Sequence, residues 1–328
     1  MPDLVLGGLL LVMAWGAMYA RTRGSAMSLF IAFGVVMALI WARLGAPDLA
    51  LAEAAIGAGL TGTLLIQASL RAPGDERATL STGSFIGAVV FVIAASLWFL
   101  TYLMSVEGSN LLTEPDLAAG YRMTPSLSDR VEQALPDSGV SYSVTAVLLN
   151  FRSWDTLLEL LVLLLALIGV RQLYPSASQQ SHQAGEPLQQ GGVEATHTKA
   201  WPLTRVWARL LAPALLVTGT YLLWRGAEAP GGAFQAGALL AAGAVILKLT
   251  GLIPPLRWSS LLLRVLILAG ALGFISVAAL TALAGNGWLH YPAEFAKPLI
   301  LAIEVLATVS IATTLTLLVV AEREDLKT

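Results

Sequence analysis

Long runs of apolar residues, separated by short polar segments, dominate the pattern along the chain. Runs such as 4–19, 84–101 and 299–320 are close to the length of about 20 residues that an α-helix needs to cross the hydrocarbon of a membrane. The pattern therefore predicts an all-α integral membrane protein, a polytopic bundle of about nine transmembrane helices. The predicted spans cover residues 3–20, 25–42, 47–70, 83–104, 155–173, 205–224, 232–253, 258–283 and 295–321.

The composition agrees with this prediction. The chain is 56% hydrophobic and 12% charged, whereas an average soluble domain carries about 25% charged residues. A net charge of −2 provides no basic surface for nucleic acid, and the lack of cysteine excludes disulfides and thiolate metal sites. The first apolar run lacks the features of a signal peptide, so we expect it to remain in the mature chain.

Two long connections divide the chain. The first membrane domain covers residues 1–104. It is followed by an acidic segment at 105–142, which is predicted to lie outside the membrane on the external side. A Gln-, Ser- and Gly-rich segment at 174–204 is typical of a flexible cytoplasmic linker. Between them lies a membrane segment at 143–173, and after them a four-helix membrane domain at 205–328. Arg and Lys fall mostly on one side of the predicted bundle, which favours an external N-terminus and a cytoplasmic C-terminus. We find no internal repeat, which counts against a self-contained secondary transporter.

Charged residues within the spans are candidates for function because a charge at mid-bilayer is costly. Pro47 and Asp48 suit the first turn of the third span, where Asp48 could simply cap the helix, and Glu53 begins about one turn further in. Glu304 lies near the centre of the last span without a basic residue within one turn. Lys248 lies towards the inner end of its span, where it either reaches the membrane surface or contributes to a proton relay.

A polar cluster precedes the fifth span. Asp155 and Glu159 are four residues apart and share one helix face, and Arg152 is placed to pair with Asp155. The apolar residues 144–149 before them are too few to span, so we predict a short re-entrant or interfacial helix. The Arg152–Asp155 pair is readily explained as structural, whereas Glu159 is a candidate for binding a proton or a cation.

A Pro-Gly-Gly segment separates two apolar runs near residue 230. Pro230, Gly231 and Gly232 predict a tight external turn, and the small residues on either side of Phe234 suggest packing against a partner. The segment lacks the Gly-Lys-Ser/Thr ending of a phosphate loop. The three histidines have no metal-ligand spacing, and no serine-nucleophile motif is present. We therefore expect no free-standing enzyme and no bound cofactor.

Three segments resemble known families. APDLALAEAAIGAGL at 46–60 resembles the MbhD-like domain of membrane-bound hydrogenases, which also forms part of the tail of MrpA, the large protein of Mrp antiporters. VTAVLLNFRSWDTLLE at 144–159 is similar to the adjoining MbhE-like domain. GAEAPGGAF at 226–234 is similar to the signature of MrpB, also named MnhB. In order, they resemble the fused MrpB subunit of Mrp-type multi-subunit Na+/H+ antiporters.

The resemblance implies Na+/H+ exchange in a complex with other Mrp-type subunits, including proton-channel subunits similar to those of respiratory complex I. By position, Glu159 matches an acidic residue thought to lie on the ion path, and Pro230 and Phe234 match residues implicated in activity. The chain also departs from the family, since Asn150 and Ser153 replace the usual Asp and Gly, and Ala227 and Glu228 replace His and Asn. Gly57 stands where Mrp tails often carry glutamate, which leaves Glu53 as the available carboxylate.

Two alternatives remain open at this point. The same segments would suit a subunit of a membrane-bound hydrogenase-type redox-driven ion pump. They would also suit a structural scaffold through which no ions pass. For an antiporter subunit in the cell inner membrane, the expected mechanism is competition of H+ and Na+ for buried carboxylates. The six candidates for the ion or proton path are Glu159, Glu53, Glu304, Lys248, Asp155 and Asp48.

Overall fold

A computed structural model describes residues 2–20, 22–62, 64–65, 127–173, 202–253, 260–285 and 287–320. The predicted span at 83–104 and most of the two long connections lie outside these residues. Residues Met1–Ala72 and Val131–Thr328 belong to one compact unit, and Pro73–Arg130 to a second, of which only Leu127–Arg130 is described. Everything that follows concerns the first unit, apart from the start of helix α4.

The described residues form helices and connecting turns, with no strand among them. The helices are α1 Pro2–Tyr19, α2 Arg23–Arg43, α3 Pro47–Ala52, α4 Leu127–Ala134, α5 Ser143–Ala146, α6 Ser153–Leu173, α7 Pro202–Arg225, α8 Ala233–Leu249, α9 Leu261–Leu283 and α10 Ala296–Val319. Two wider π-helical segments continue α3 and α5 directly, at Glu53–Leu60 and Val147–Phe151.

The all-α membrane fold is confirmed. Within the described residues, α2, α6, α9 and α10 are long and apolar enough to cross a membrane, and shorter apolar helices cover Val5–Tyr19 and Ala233–Leu249. Eight of the nine predicted spans have a helical counterpart at nearly the predicted position. The remaining predicted span, at 83–104, lies outside the described residues. The protein is therefore a multi-pass membrane protein.

The helices pack around a core in which α10 is central. The main cluster joins Phe274 of α9 to Ile300, Ile303 and Ile311 of α10, all of them fully or almost fully buried. A second cluster sets Leu60, from the π-helical segment, against Val245 of α8. Apolar contacts thus join the π-helical segment that follows α3 to α8 and α10.

Four helices begin at the same end of the bundle. The N-termini of α3 and α5 meet the turn before α8 through hydrogen bonds from Tyr142 and Gly231 to Asp48. The start of α10 lies against Gly139, where a Cβ atom would come 2.5 Å from that of Ala296. This arrangement agrees with the predicted alternation of the spans. We call the end of the bundle that contains the starts of α3, α5, α8 and α10 the turn end.

The polar cluster before α6 coincides with a break in the helix. Backbone angles of φ −131° and ψ 37° at Arg152 separate the π-helical segment from α6. Thr156 donates its hydroxyl proton to the carbonyl of Leu148 at 2.6 Å, and Tyr291 donates to that of Leu149 at 2.9 Å. Side chains therefore satisfy carbonyl groups that the break leaves without helical partners. A short helical segment does precede the span, as the sequence predicts.

Candidate functional site

Glu304 is the most completely enclosed acidic residue among those described. It is the ninth residue of α10, about 12 Å along the helix at 1.5 Å per residue. Its side chain is 1% exposed, and its Oε2 atom is buried with no hydrogen-bond partner among the described residues. A buried polar atom without a partner is costly and rare, so it calls for an explanation in terms of function.

The carboxyl group of Glu304 lies beneath the turn that links α7 to α8, residues 226–232. A Cβ atom added at Gly226 would come 3.1 Å from Glu304 Oε1, and one added at Gly232 would come 3.4 Å from the same atom. The Gly226 Cβ would also lie 2.7 Å from the Gly232 Cα. The two glycines therefore let the ends of the turn approach each other closely and leave room for the carboxyl group.

The conformation of the turn depends on glycine. Gly231 and Gly232 have φ values of 151° and 106°, in the region that side chains disfavour. A Cβ atom at Gly231 would lie 2.5 Å from the carbonyl oxygen of Leu222, and the N–H of Gly232 donates to that oxygen at 3.0 Å. The Pro-Gly-Gly turn predicted from the sequence is thus present, folded back onto the last turns of α7.

Asp48 attaches the start of α3 to this turn. Its Oδ1 accepts the N–H of Gly231 at 3.1 Å, and its Oδ2 accepts the hydroxyl of Tyr142. The sequence suggested that Asp48 could serve merely as a cap, but its carboxylate makes contacts that span 183 and 94 positions of the chain. Burial, and then the hydrogen bond to Asp48, raise the pKa of the Tyr142 hydroxyl, which lies before α5 and outside the spanning helices.

The other end of the turn is held by the segment that leads into α5. The hydroxyl of Thr145 donates to the carbonyl of Gly226, and the N–H groups of Ser141 and Tyr142 donate to the carbonyl of Ala227 at 3.1 and 3.2 Å. The turn over Glu304 is therefore fixed at its 226–227 end and, through Asp48, at its 231–232 end. Tyr142 and Thr145 were missed by the sequence reasoning because nothing in a linear pattern indicates contacts over such separations.

Glu53 lies at the first position of the π-helical segment and is partly buried. Its carboxyl group folds back over Gly57, where an added Cβ atom would lie 2.1 Å from Glu53 Oε1. The glycine thus provides the space that the carboxyl group fills. The wide turns of π-helices are frequent at functional sites, which keeps Glu53 among the candidates.

Glu159 and Asp155 have different surroundings from Glu304. Glu159 lies on the exposed side of α6, while Asp155 is paired with Arg152 through an Nη2–Oδ2 distance of 2.6 Å. The predicted Arg152–Asp155 ion pair is therefore confirmed. The sequence suggested that the acidic residues share one path. Among the described residues, the Glu304 side chain lies in the interior and the Glu159 side chain lies on the surface.

Lys248 and the turn residues complete the predicted set. Lys248 is partly buried in the last turn of α8. Pro230 and Gly231 are partly exposed, Gly232 is buried, and Phe234 packs on the main core cluster of this same chain. These contacts lie within the chain, and the packing of the four turn residues against a partner stays a prediction.

Two domain families match the chain. Residues 8–73 match MbhD, the family described as the D subunit of MBH, and residues 203–322 match a domain related to the MnhB subunit of Na+/H+ antiporter. The first match contains Asp48 and Glu53, and the second contains the turn and Glu304. The hydrogen bond between Asp48 and Gly231 therefore links the two matched domains.

The proteins that are similar to this chain in sequence or structure are longer than it is. A protein of Rhizobium meliloti (strain 1021), named as a probable K(+)/H(+) antiporter subunit of the A/B type, is 30% identical over 152 residues, which are 40% of this chain and 15% of the relative. A chain in the structure of the Mrp complex from Dietzia sp. DQ12-45-1b aligns with all of this chain and 36% of its own length, with 21% identity and a TM-score of 0.71. The chain thus spans well under half the length of either protein, and the structural likeness establishes the fold.

Proposed function

We propose that this chain, in which an MbhD domain precedes a domain related to MnhB, is a membrane subunit of a multi-subunit monovalent cation/proton antiporter. The observation that carries the proposal is Glu304, enclosed within the MnhB-related domain with an Oε2 atom that has no partner in the described part of the chain. The domain content and its order support the same assignment. The cation is Na+ in the family description of the second domain and K+ in the name of the curated relative.

Glu304 would act by exchanging one positive charge for another. A carboxylate enclosed by protein needs a proton or a cation to compensate its charge. Binding of a proton would release a monovalent cation, and binding of the cation would release the proton. Since both bind the same oxygen atoms, the two ions compete, which is the basic requirement of antiport.

The other acidic residues would belong to the same path or to its entrances. Glu53 is partly buried next to the helices that enclose Glu304, and Asp48 lies at the turn above it. Glu159, with Asp155 one helical turn before it, lies on the surface of the described residues, so another part of the chain, a neighbouring protein or lipid would complete its surroundings. Lys248, at the opposite end of α8 from the turn, would contribute a positive charge to a proton relay.

The partners would be other Mrp-type antiporter subunits, including proton-channel subunits similar to those of complex I, together with the lipid bilayer. Such partners fit the large apolar surface of the chain, on which side chains such as Val217 and Leu283 are 68% and 86% exposed. The chain would reside in the cell inner membrane with its N-terminus and the turn end of the bundle outside, and with its C-terminus in the cytoplasm.

A redox-driven ion pump is the second candidate. The MbhD match at 8–73 favours it, since the description of that family names MBH as its complex. The two candidates differ in the proteins that purify with the chain. Metal-cluster proteins in the purified complex would favour the redox pump, and their absence from an exchange-competent complex would favour the antiporter.

The direct test replaces Glu304 with glutamine in the assembled complex. Glu304→Gln keeps the size of the side chain but removes the group on which proton and cation compete, so we expect cation-dependent proton movement in everted membrane vesicles to be lost. Glu294→Gln is the matched control, because Glu294 is an exposed glutamate ten positions earlier, in the loop before α10. Exchange at the wild-type rate in an assembled Glu304→Gln complex would remove Glu304 from the ion path.

A further inference from the structure

We propose that Asp48 is a positioning residue for Glu304: by binding the Gly231 N–H, it keeps the 226–232 turn closed over the Glu304 carboxyl group. The inference rests on the proposed function, since it explains how the ion-binding carboxyl group is kept from open water. It assigns a role to Asp48 that differs from capping its own helix. It also makes the MbhD domain necessary for the integrity of a site that lies in the MnhB-related domain.

The atoms held by Asp48 are directly connected to those that cover Glu304. Gly231 and Gly232 are consecutive, and Gly232 is one of the two glycines against which Glu304 Oε1 lies. The Gly231 N–H donates to Asp48 Oδ1 at 3.1 Å. A hydrogen bond from an N–H group to a carboxylate is stronger than one between neutral groups. Release of this bond would therefore leave the 231–232 end of the turn held by the hydrogen bond from Gly232 to Leu222 and make that end easier to displace.

Tyr142 fixes the orientation of the Asp48 carboxylate. Its hydroxyl donates to Oδ2, which leaves Oδ1 directed at Gly231. The Tyr142 N–H donates to the carbonyl of Ala227 at 3.2 Å. Tyr142 thus contacts both the Asp48 carboxylate and the Ala227 end of the turn. Asp48, Tyr142 and the 226–232 turn together form a closed set of hydrogen bonds.

Loss of Asp48 should open the turn locally without unfolding the chain. The 226–227 end keeps its hydrogen bonds from Thr145, Ser141 and Tyr142, and Gly232 keeps its bond to Leu222. The apolar core around Phe274 and α10 contains no contact with Asp48 among the clusters described. The expected result is an increase in the fraction of time during which water reaches position 304.

The test measures access of water to position 304. The chain has no cysteine, so Glu304→Cys introduces a unique thiol into it, and its reaction with a charged methanethiosulfonate reagent can be followed by mass spectrometry. The whole complex is used, in membranes with reagent on both faces. We expect Asp48→Ala to accelerate labelling by about tenfold to a hundredfold, the effect of losing a hydrogen bond to a charged group.

Two variants separate positioning from general damage. Asp48→Asn keeps an oxygen for Gly231 and an N–H for the Tyr142 oxygen but loses the charge, so it should accelerate labelling by at most about fivefold, less than Asp48→Ala does. Thr281→Val removes a buried hydroxyl that donates to the carbonyl of Ala278 and accepts from the N–H of Leu289, neither of which belongs to the turn. It should label as slowly as the background. An unchanged rate in Asp48→Ala, or an equal rise in Thr281→Val, would overturn the inference.

A second variant covers the case in which Asp48→Ala does not assemble. Tyr142→Phe removes only the hydroxyl that orients Asp48 and should produce a smaller acceleration; no acceleration would overturn the inference. The measurement needs no transport, so it is independent of the test of the proposed function. Wild-type exchange in Glu304→Gln would sink the proposed function, whereas unchanged labelling in the Asp48 and Tyr142 variants would sink the positioning role alone.

Discussion

Glu304 and Glu159 are both glutamates in spanning helices, but the described residues enclose only the first of them. Glu304 is 1% exposed and is covered by the Gly226–Gly232 turn of its own chain. Glu159 is exposed on α6, so the described residues do not complete its surroundings. The described residues therefore enclose one acidic residue and leave the other on their surface. Because lipid alone disfavours an acid within the membrane, we expect another part of the chain or a partner to cover Glu159.

The largest effect should come from breaking the turn over Glu304. Gly231→Ala places a Cβ atom 2.5 Å from the backbone oxygen of Leu222, at a φ of 151°. Backbone atoms cannot move aside as a flexible side chain can, so we expect the turn to be displaced and the complex to be lost. The measurement is the amount of this chain that purifies with a tagged partner protein.

The control for this variant isolates backbone strain from steric overlap. Gly251→Ala also changes a glycine with positive φ, 69°, but no atom of the described residues lies within 4 Å of the added Cβ. It should cost only about 1–2 kcal/mol, the penalty of the left-handed conformation for an alanine, and the complex should still be recovered. Equal recovery of the two variants would show that close packing of the turn is unimportant.

The next largest effect should come from Glu159, which lies on the surface of the described residues. Glu159→Gln should leave the complex assembled and reduce Na+-dependent proton movement by about tenfold or more, the range in which groups that transfer protons commonly contribute. The assay is proton movement in everted vesicles across a range of pH. Glu132→Gln, at an exposed glutamate of α4, serves as the control. A wild-type rate and pH profile in Glu159→Gln would return Glu159 to a structural role and leave Glu304 as the stronger candidate.

The contrast between the two sites also explains what the sequence could predict. Helix positions followed from the length and composition of the apolar runs, and the Arg152–Asp155 pair from its spacing of three residues, because both are local properties of a helix. The charge of Glu304 and its depth in the last span were equally visible. The turn was visible too, since Pro-Gly-Gly has few alternatives.

Contacts between distant segments could not be predicted in the same way. Asp48 resembled a helix cap because its position after Pro47 suits one, yet its partners are Gly231 and Tyr142. The sequence predicted that the turn packs on a partner and gave no sign that it also covers Glu304 of the same chain. Such contacts depend on how helices pack in three dimensions, and no spacing along the chain encodes them. The burial of Glu304 relative to Glu159 was invisible for the same reason.

The smallest effect should come from moving a carboxyl group without removing it. Gly57→Ala places a methyl carbon 2.1 Å from Glu53 Oε1, so the flexible end of Glu53 must shift while the backbone is unaffected. Alanine is favoured over glycine within a helix by roughly 0.5–1 kcal/mol, so assembly should be preserved. We expect exchange to fall only a few-fold, measured as in the preceding tests. Gly59→Ala is the control, since its Cβ would make only an ordinary contact, 3.4 Å from the oxygen of Ala54.

A double-mutant cycle shows whether this effect acts through Glu53. If Gly57→Ala reduces exchange by displacing the Glu53 carboxyl group, it should have no further effect once that group is absent, in the Glu53→Ala background. Independent, additive losses would mean that Gly57 matters for helix packing and not for the carboxyl group. Together with Glu304→Gln and Glu159→Gln, the result would rank the three carboxylates by how completely the described residues enclose each of them. We expect Glu53, which is partly buried against its own helix, to rank between the enclosed Glu304 and the exposed Glu159.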